Sequence, residues 1–280
     1  MDLLSIGGLI VGVAALLGGN LLEGGQLIAL LNGPALIIVL GGTLGAVLLQ
    51  TPWSAVKNLF AMLRWVFSPP IFNTQLMIDK LLSWSRIARK DGFLALDPLL
   101  EGETDEFVKK GLQLLIDGSN ANKVRDLLEA DSYTVEMRYL QAAHILESMG
   151  GYAPTMGIIG AVMGLIHVMG NLINPAEVGP GIAVAFIATI YGIGLANLLF
   201  FPVASKLKSV THQIMQHREL ILDGVIAIAE GDHPAHIEMR LMCYMEPEKK
   251  KIPRKEKAKK PVINKAKNEP NFESGKTEEQ

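Results

Sequence analysis

The chain has 280 residues, a formal net charge of −2, a single cysteine and 28 glycines, and its mean hydropathy is +0.29. One cysteine excludes an intrachain disulfide framework and a cysteine-based zinc site, and no nucleic-acid recognition motif accompanies the basic tail. Charged residues make up 19% of the chain, below the roughly 25% of soluble domains, and they are segregated. Residues 1–50 hold no Lys or Arg, and residues 152–205 hold none either. All 26 bases lie in two blocks, 11 in 51–151 and 15 in 206–280.

A bilayer core needs about 20 predominantly apolar residues per helix. Four windows meet that demand: 3–22, 28–49, 153–173 and 182–203. Asn32, Gly33 and Pro34 weaken the start of the second. The expected organisation is a transmembrane hairpin over 1–50, a helical block over 51–152, a second hairpin over 153–204, a helical extension over 205–245 and a Lys-rich tail over 246–280. In the first block Trp53, Val56, Leu59, Phe60, Leu63 and Phe67 recur at helical spacing, which suits an interfacial helix. Amphipathic stretches at 75–90, 107–116 and 122–130 follow, and 133–149 leads into the third span. Leu207, Val210, Ile214, Ile221, Val225 and Ile228 continue the fourth span as a helix as far as Gly231. Asp232 and Pro234 then predict a new helix start. The tail is too polar to offset its ordering entropy and reads as disordered.

The fold class is all-α: a polytopic membrane protein with four transmembrane helices and a helical cytoplasmic domain. The links within each hairpin carry no Lys or Arg. The positive-inside rule therefore places both polar blocks and both termini in the cytoplasm. The start has no basic region followed by a cleavage pattern, so no signal peptide is expected.

The glycines lie inside lipid-length helices, and no phosphate-binding loop, catalytic triad or paired-His metal motif occurs. No catalytic residue, metal or cofactor is expected, and the pairs His212/His217 and His233/His236 read as solvent-facing rather than as ligands. The pairs Gly8/Gly12 and Gly160/Gly164, with Gly157, give the small-residue spacing that lets helices approach closely in lipid. No span carries a carboxylate near its middle, where one would mark an ion pathway. His167, the only ionisable group deep in the third span, reads as a neutral, hydrogen-bonded histidine facing other helices, with a proton relay as the alternative. An ion carrier should then belong to a partner. Thr155, Thr189, Tyr191 and Asn197 could line a wet path. For Thr189 a hydroxyl bonded back to the Ala185 carbonyl is an equal alternative.

The run Ala153-Pro154-Thr155-Met156-Gly157-Ile158-Ile159-Gly160-Ala161-Val162-Met163-Gly164 resembles the third membrane helix of the MotA/PomA family of flagellar stator proteins. Arg89 to Asp97 resembles the family's charged torque segment, and Thr189 through Asn197 to Pro202 its fourth helix. Ile228 to Pro234 resembles the helix break in its tail. The resemblance covers roughly residues 1–245. It implies a homo-oligomeric ring, a pentamer, in the bacterial inner membrane around a single-span MotB- or PomB-like partner. That partner would bring the ion-binding aspartate and anchor to peptidoglycan, and the ring would push on the rotor protein FliG.

By motif, Arg89 and Asp97 would face the rotor. Pro154 and Pro202 would shape the third and fourth spans, Thr189 would line the ion path, and Gly157, Gly160 and Gly164 would pack helices. Asp97 stands where the family pattern has Glu, and Pro98 after it constrains its backbone. The bland alternative for Arg89 and Asp97 is a surface ion pair worth at most about 1 kcal/mol. Ala161 lacks the hydroxyl of sodium-type relatives seven residues after the span proline, so the expected coupling ion is the proton, with sodium as the alternative. An ExbB/TolQ-type energiser of outer-membrane processes, or a membrane scaffold without ion flux, would be the competing functions.

Overall fold

A computed structural model describes residues 3–170, 173 and 175–245. The Lys-rich tail and positions 171 and 172 of the third expected span lie outside the described residues. Those described form helices joined by short turns, and four helices are long and apolar enough to cross a membrane.

Helix α1 (Leu3–Leu22) is apolar on all sides, and most of its large side chains are exposed, as lipid contact requires. Helix α2 (33–50) begins later than the expected 28. A 3-10 turn over Leu27–Leu30 ends in extended backbone at Leu31 and Asn32. Asn32 then caps α2, its side chain accepting from the Ala35 amide at 3.0 Å. Unpaired backbone groups are costly in a bilayer. Tyr191 satisfies two of them: its hydroxyl donates to the Leu30 carbonyl and accepts from the Asn32 amide.

Thr51 and Pro52 turn the chain into α3 (Trp53–Phe67), and α4 (Thr74–Asp91) follows the Pro69-Pro70 break. After one turn at Asp97–Leu100 come α5 (Glu106–Ile116) and α6 (Ala121–Gly170). The stretches expected at 122–130 and 133–149 are not separate. With the third span they form one helix of 50 residues, about 75 Å long. No Gly or Pro separates Ala130 from Tyr133. At that join Thr134 bonds back to the Ala130 carbonyl at 2.8 Å, and Lys110 and Arg218 both hold Asp131 at 2.9 Å.

Helix α7 (175–229) contains a π-turn over Ala196–Phe200, just before Pro202, and then runs on over Phe201–Ala229. It ends as the sequence predicts. Gly231 takes φ 77°, and the amides of Gly231 and Asp232 return to the Ile228 and Ala227 carbonyls at 3.0 Å. The next helix, α8 (Pro234–Leu241), is capped by His233 rather than Asp232. The His233 Nδ1 accepts from the Ala235 amide at 3.3 Å.

Away from the membrane, α4, α5, the start of α6, the end of α7 and α8 bury one apolar core that includes Leu81, Trp84, Leu112, Leu128, Ile221 and Ile237. A second core beside the spans joins α3, α6 and α7 through Leu59, Met62, Leu146, Phe200 and Leu207.

Candidate functional site: the seam between spans and the distal tip

Helices α6 and α7 meet along a stripe of small residues. On α6 Ala153, Gly157, Gly160 and Gly164 are spaced by four, three and four, and on α7 so are Gly181, Ala185, Ala188 and Gly192. A Cβ at Gly157 would lie 2.8 Å from the Ala188 carbonyl oxygen, and one at Gly192 would lie 2.5 Å from that of Ala153. At Gly164 it would come within 3.0 Å of the Ala185 nitrogen and the Gly181 oxygen. The backbones touch, so dispersion across the contact holds the pair where no hydrophobic force acts.

Ala161 and Thr189 each follow a seam residue and are half-exposed on its flank. Thr189 Oγ donates to the Ala185 carbonyl at 3.2 Å. Thr155 donates to the Tyr152 carbonyl at 2.8 Å, and the Asn197 amide to that of Ile193 at 2.9 Å. With its proton committed to the backbone, each threonine oxygen offers only lone pairs outward. The structure thus takes Tyr191 out of the expected wet path and fastens it to the turn before α2. The exposed His167 places its ring 3.7 Å from where a Cβ on Gly181 would stand.

Both helices are weakened at one level. Pro154 lies inside α6 and removes a helical donor. It packs against Gly192, and Gly150 lies under the ring of Phe201, beside Pro202 and the π-turn. Pro202 is exposed and lines a cavity of about 370 Å³ with α1 residues Leu4 and Gly8.

The remaining candidates lie at the far end of the molecule. Gly231 is 28 residues beyond Val203, about 40 Å along a helix. There Arg89, exposed on the last turn of α4, donates from Nη1 to the Gly231 carbonyl at 2.8 Å. Arg89 and Asp97 do not form the surface pair considered above; the guanidinium closes the helix break instead. Asp97 is exposed and helical (φ −53°, ψ −44°), not extended as the following proline favours. It opens a single turn with Pro98 second, where a missing N–H goes unneeded.

The sequence reading missed His217. Its ring stacks on Phe72 at 4.5 Å, and its Nδ1 is buried with no hydrogen-bond partner. Burial holds its pKa below the ordinary histidine value, against the opposing pull of Asp105. Nothing in the spacing of His212 and His217 signals this, because Phe72 comes from the loop before α4. Among the described residues no group of three His, Cys, Asp or Glu side chains is placed to hold a metal.

The profile described as the MotA/TolQ/ExbB proton channel family matches residues 100–220, and that of the motility protein A N-terminal region matches residues 6–92. Motility protein A of Bacillus subtilis is 36% identical over 249 residues, covering 88% of this chain and 91% of that protein. Chemotaxis protein PomA of Vibrio alginolyticus is 34% identical over 245 residues, with 88% and 96% covered. Among solved structures, C. jejuni MotAB superposes with a TM-score of 0.83 at 31% identity, covering 91% of this chain and 100% of that one. The flagellar MotAB stator complex from Bacillus subtilis gives 0.78 at 35% identity, with 87% and 96% covered.

Proposed function

The chain belongs to the MotA/TolQ/ExbB proton channel family, in its motility protein A branch, and from that premise we propose that it is the membrane subunit of a flagellar stator that, with a MotB-like partner, converts ion flow into torque. The observation that carries this reading is an asymmetry. The two best-packed spans lack a carboxylate of their own, yet they run unbroken into the cytoplasmic core. Such a wall cannot carry an ion alone, but it can transmit movement.

A partner carboxylate that alternates between charged and neutral would favour different positions along the flank of the seam, where Ala161 and Thr189 stand. One elementary charge crossing 100 mV releases about 2.3 kcal/mol, enough to bias a step. Copies of the chain would form the ring, five in number, with both termini and both polar blocks on the cytoplasmic side. Arg89 and Asp97 would meet the rotor protein FliG. Pro154 and Pro202 would let spans and cytoplasmic helices move relative to one another. The proton is the proposed coupling ion, since Ala161 supplies no oxygen to replace sodium's hydration.

Swimming of cells that depend on this chain and its single-span partner tests the ion. Motility should persist in sodium-free medium and stop with a protonophore. Motility lost on sodium removal alone would overturn proton coupling. A partner whose membrane Asp is changed to Asn should abolish both motility and ion flux; flux surviving that change would place the carrier in this chain.

A further inference from the structure

We propose that the outer face of α3, with the groove beside it, is a docking surface for anionic phospholipid headgroups of the phosphatidylglycerol type. Trp53, Lys57, Phe60, Arg64 and Phe67 are separated by four, three, four and three residues, so they share an arc of about 80°. All five are exposed, Trp53 by 67% and Phe60 by 70%. The opposite arc, Ala55, Leu59, Met62 and Val66, is buried against the rest of the chain. Three aromatics on one open helix face mark an interaction surface. A helix lying in the membrane interface carries such a face, with aromatics toward the acyl chains and bases toward the headgroups.

The connection to the spans fixes the depth of this face. Only Thr51 and Pro52 separate α3 from the end of α2 at Gln50. The Tyr152 hydroxyl donates to the Gln50 side chain at 3.2 Å, which ties that end to the start of the third span. Charge selects the headgroup. Neither Lys57 nor Arg64 makes an ion pair within the described residues. On the flank of α3 lies a groove of about 740 Å³ lined by Ser54, Asn58, Arg138, His144 and Lys208. Its one acid, Glu147, is already engaged by Lys208 at 2.6 Å and His144 at 3.2 Å. Arg138 remains for an anion. A basic groove with this makeup suits a lipid phosphate.

The test uses the full chain assembled with its single-span partner in phosphatidylcholine nanodiscs. Spin-labelled phosphatidylglycerol or phosphatidylcholine is added, and electron paramagnetic resonance reads the protein-restricted fraction of each. The wild-type complex should restrict the anionic lipid preferentially. Each base near a headgroup contributes about 5-fold, so a Lys57→Gln, Arg64→Gln double variant should lose about 25-fold of that preference. A Lys57→Arg, Arg64→Lys swap should retain it, and both complexes should keep their size. No preference in the wild type, or an undiminished one in the Gln variant, would overturn the proposal. So would a Gln variant that falls apart into smaller assemblies, because the face would then be an interface between chains. The readout involves no ion flow, so its failure and the failure of the stator reading are separate results.

Discussion

A missing Cβ decides more in this molecule than any charged group. At Gly192 an added methyl would stand 2.5 Å from the Ala153 carbonyl oxygen, a backbone atom that cannot move aside without shifting a helix. Two residues on, a Cβ at Gly194 meets nothing within 4 Å. Gly192→Ala should therefore destabilise the folded chain by about 1–3 kcal/mol, whereas Gly194→Ala should be neutral or stabilise by up to about 1 kcal/mol. Thermal unfolding of the two purified variants checks this, and equal effects would show that the seam is not close-packed. Arg89 poses a different question, because it faces outward and also binds the Gly231 carbonyl. That exposed bond contributes about 0.5–1.5 kcal/mol. Arg89→Gln should leave the melting temperature nearly unchanged while reducing swimming severely. A motility loss that follows the loss of stability would assign Arg89 to the helix break alone.

Helices α6 and α7 each continue without a break beyond the expected spans. Each carries its irregularity at one end of the expected span: Pro154 in α6, and the π-turn followed by Pro202 in α7. The removed hydrogen bonds make this level the softest point of otherwise regular helices. Pro154→Leu restores a donor toward the Gly150 carbonyl and should stiffen α6. The expected outcome is a variant that assembles and inserts normally but turns the motor poorly or not at all, measured as swimming speed beside membrane abundance. Wild-type swimming would show that bending at Pro154 is not needed. The continuity of α6 also gives Asp131 a structural meaning: its two ion pairs reach α5 through Lys110 and α7 through Arg218.

The helical part outside the spans should lose stability in acid, and the sign follows from several groups together. Burial pushes the Asp131 carboxyl up, but hydrogen bonds from Lys110 and Arg218 outweigh it and hold it below its ordinary value. The Lys208 hydrogen bond lowers Glu147. Burial lowers His217, whose neutral form the fold prefers. In each case the unfolded chain binds protons at a higher pH than the folded one, so stability rises with pH. His217 contributes stability that is complete above its unfolded value of about 6.5 and is lost as pH falls below it. The carboxylates follow at lower pH, below about 4.5. Replacing His217 by Gln should flatten the pH dependence of the melting temperature between about pH 7 and pH 5 and leave the more acidic part unchanged. An unaltered profile would mean that His217 titrates alike in both states.

Local chemistry was enough to read the periodic and compositional features. Runs of about 20 apolar residues declare spans, and Gly231 before Pro234 declares a helix stop. The motif around Pro154 carried the resemblance to stator proteins, because a close-packed seam constrains several neighbouring positions at once. Contacts between distant segments were beyond that reach. Tyr191 repairs the break before α2 from 161 residues away, Arg89 closes a turn 142 residues on, and Phe72 covers His217 from another element. The join at Ala130 to Tyr133 depended on partners in α5 and α7 that spacing does not reveal. A single sequence states what each segment prefers by itself. Which donor meets which acceptor, and which glycine faces a backbone, is settled only when the helices pack.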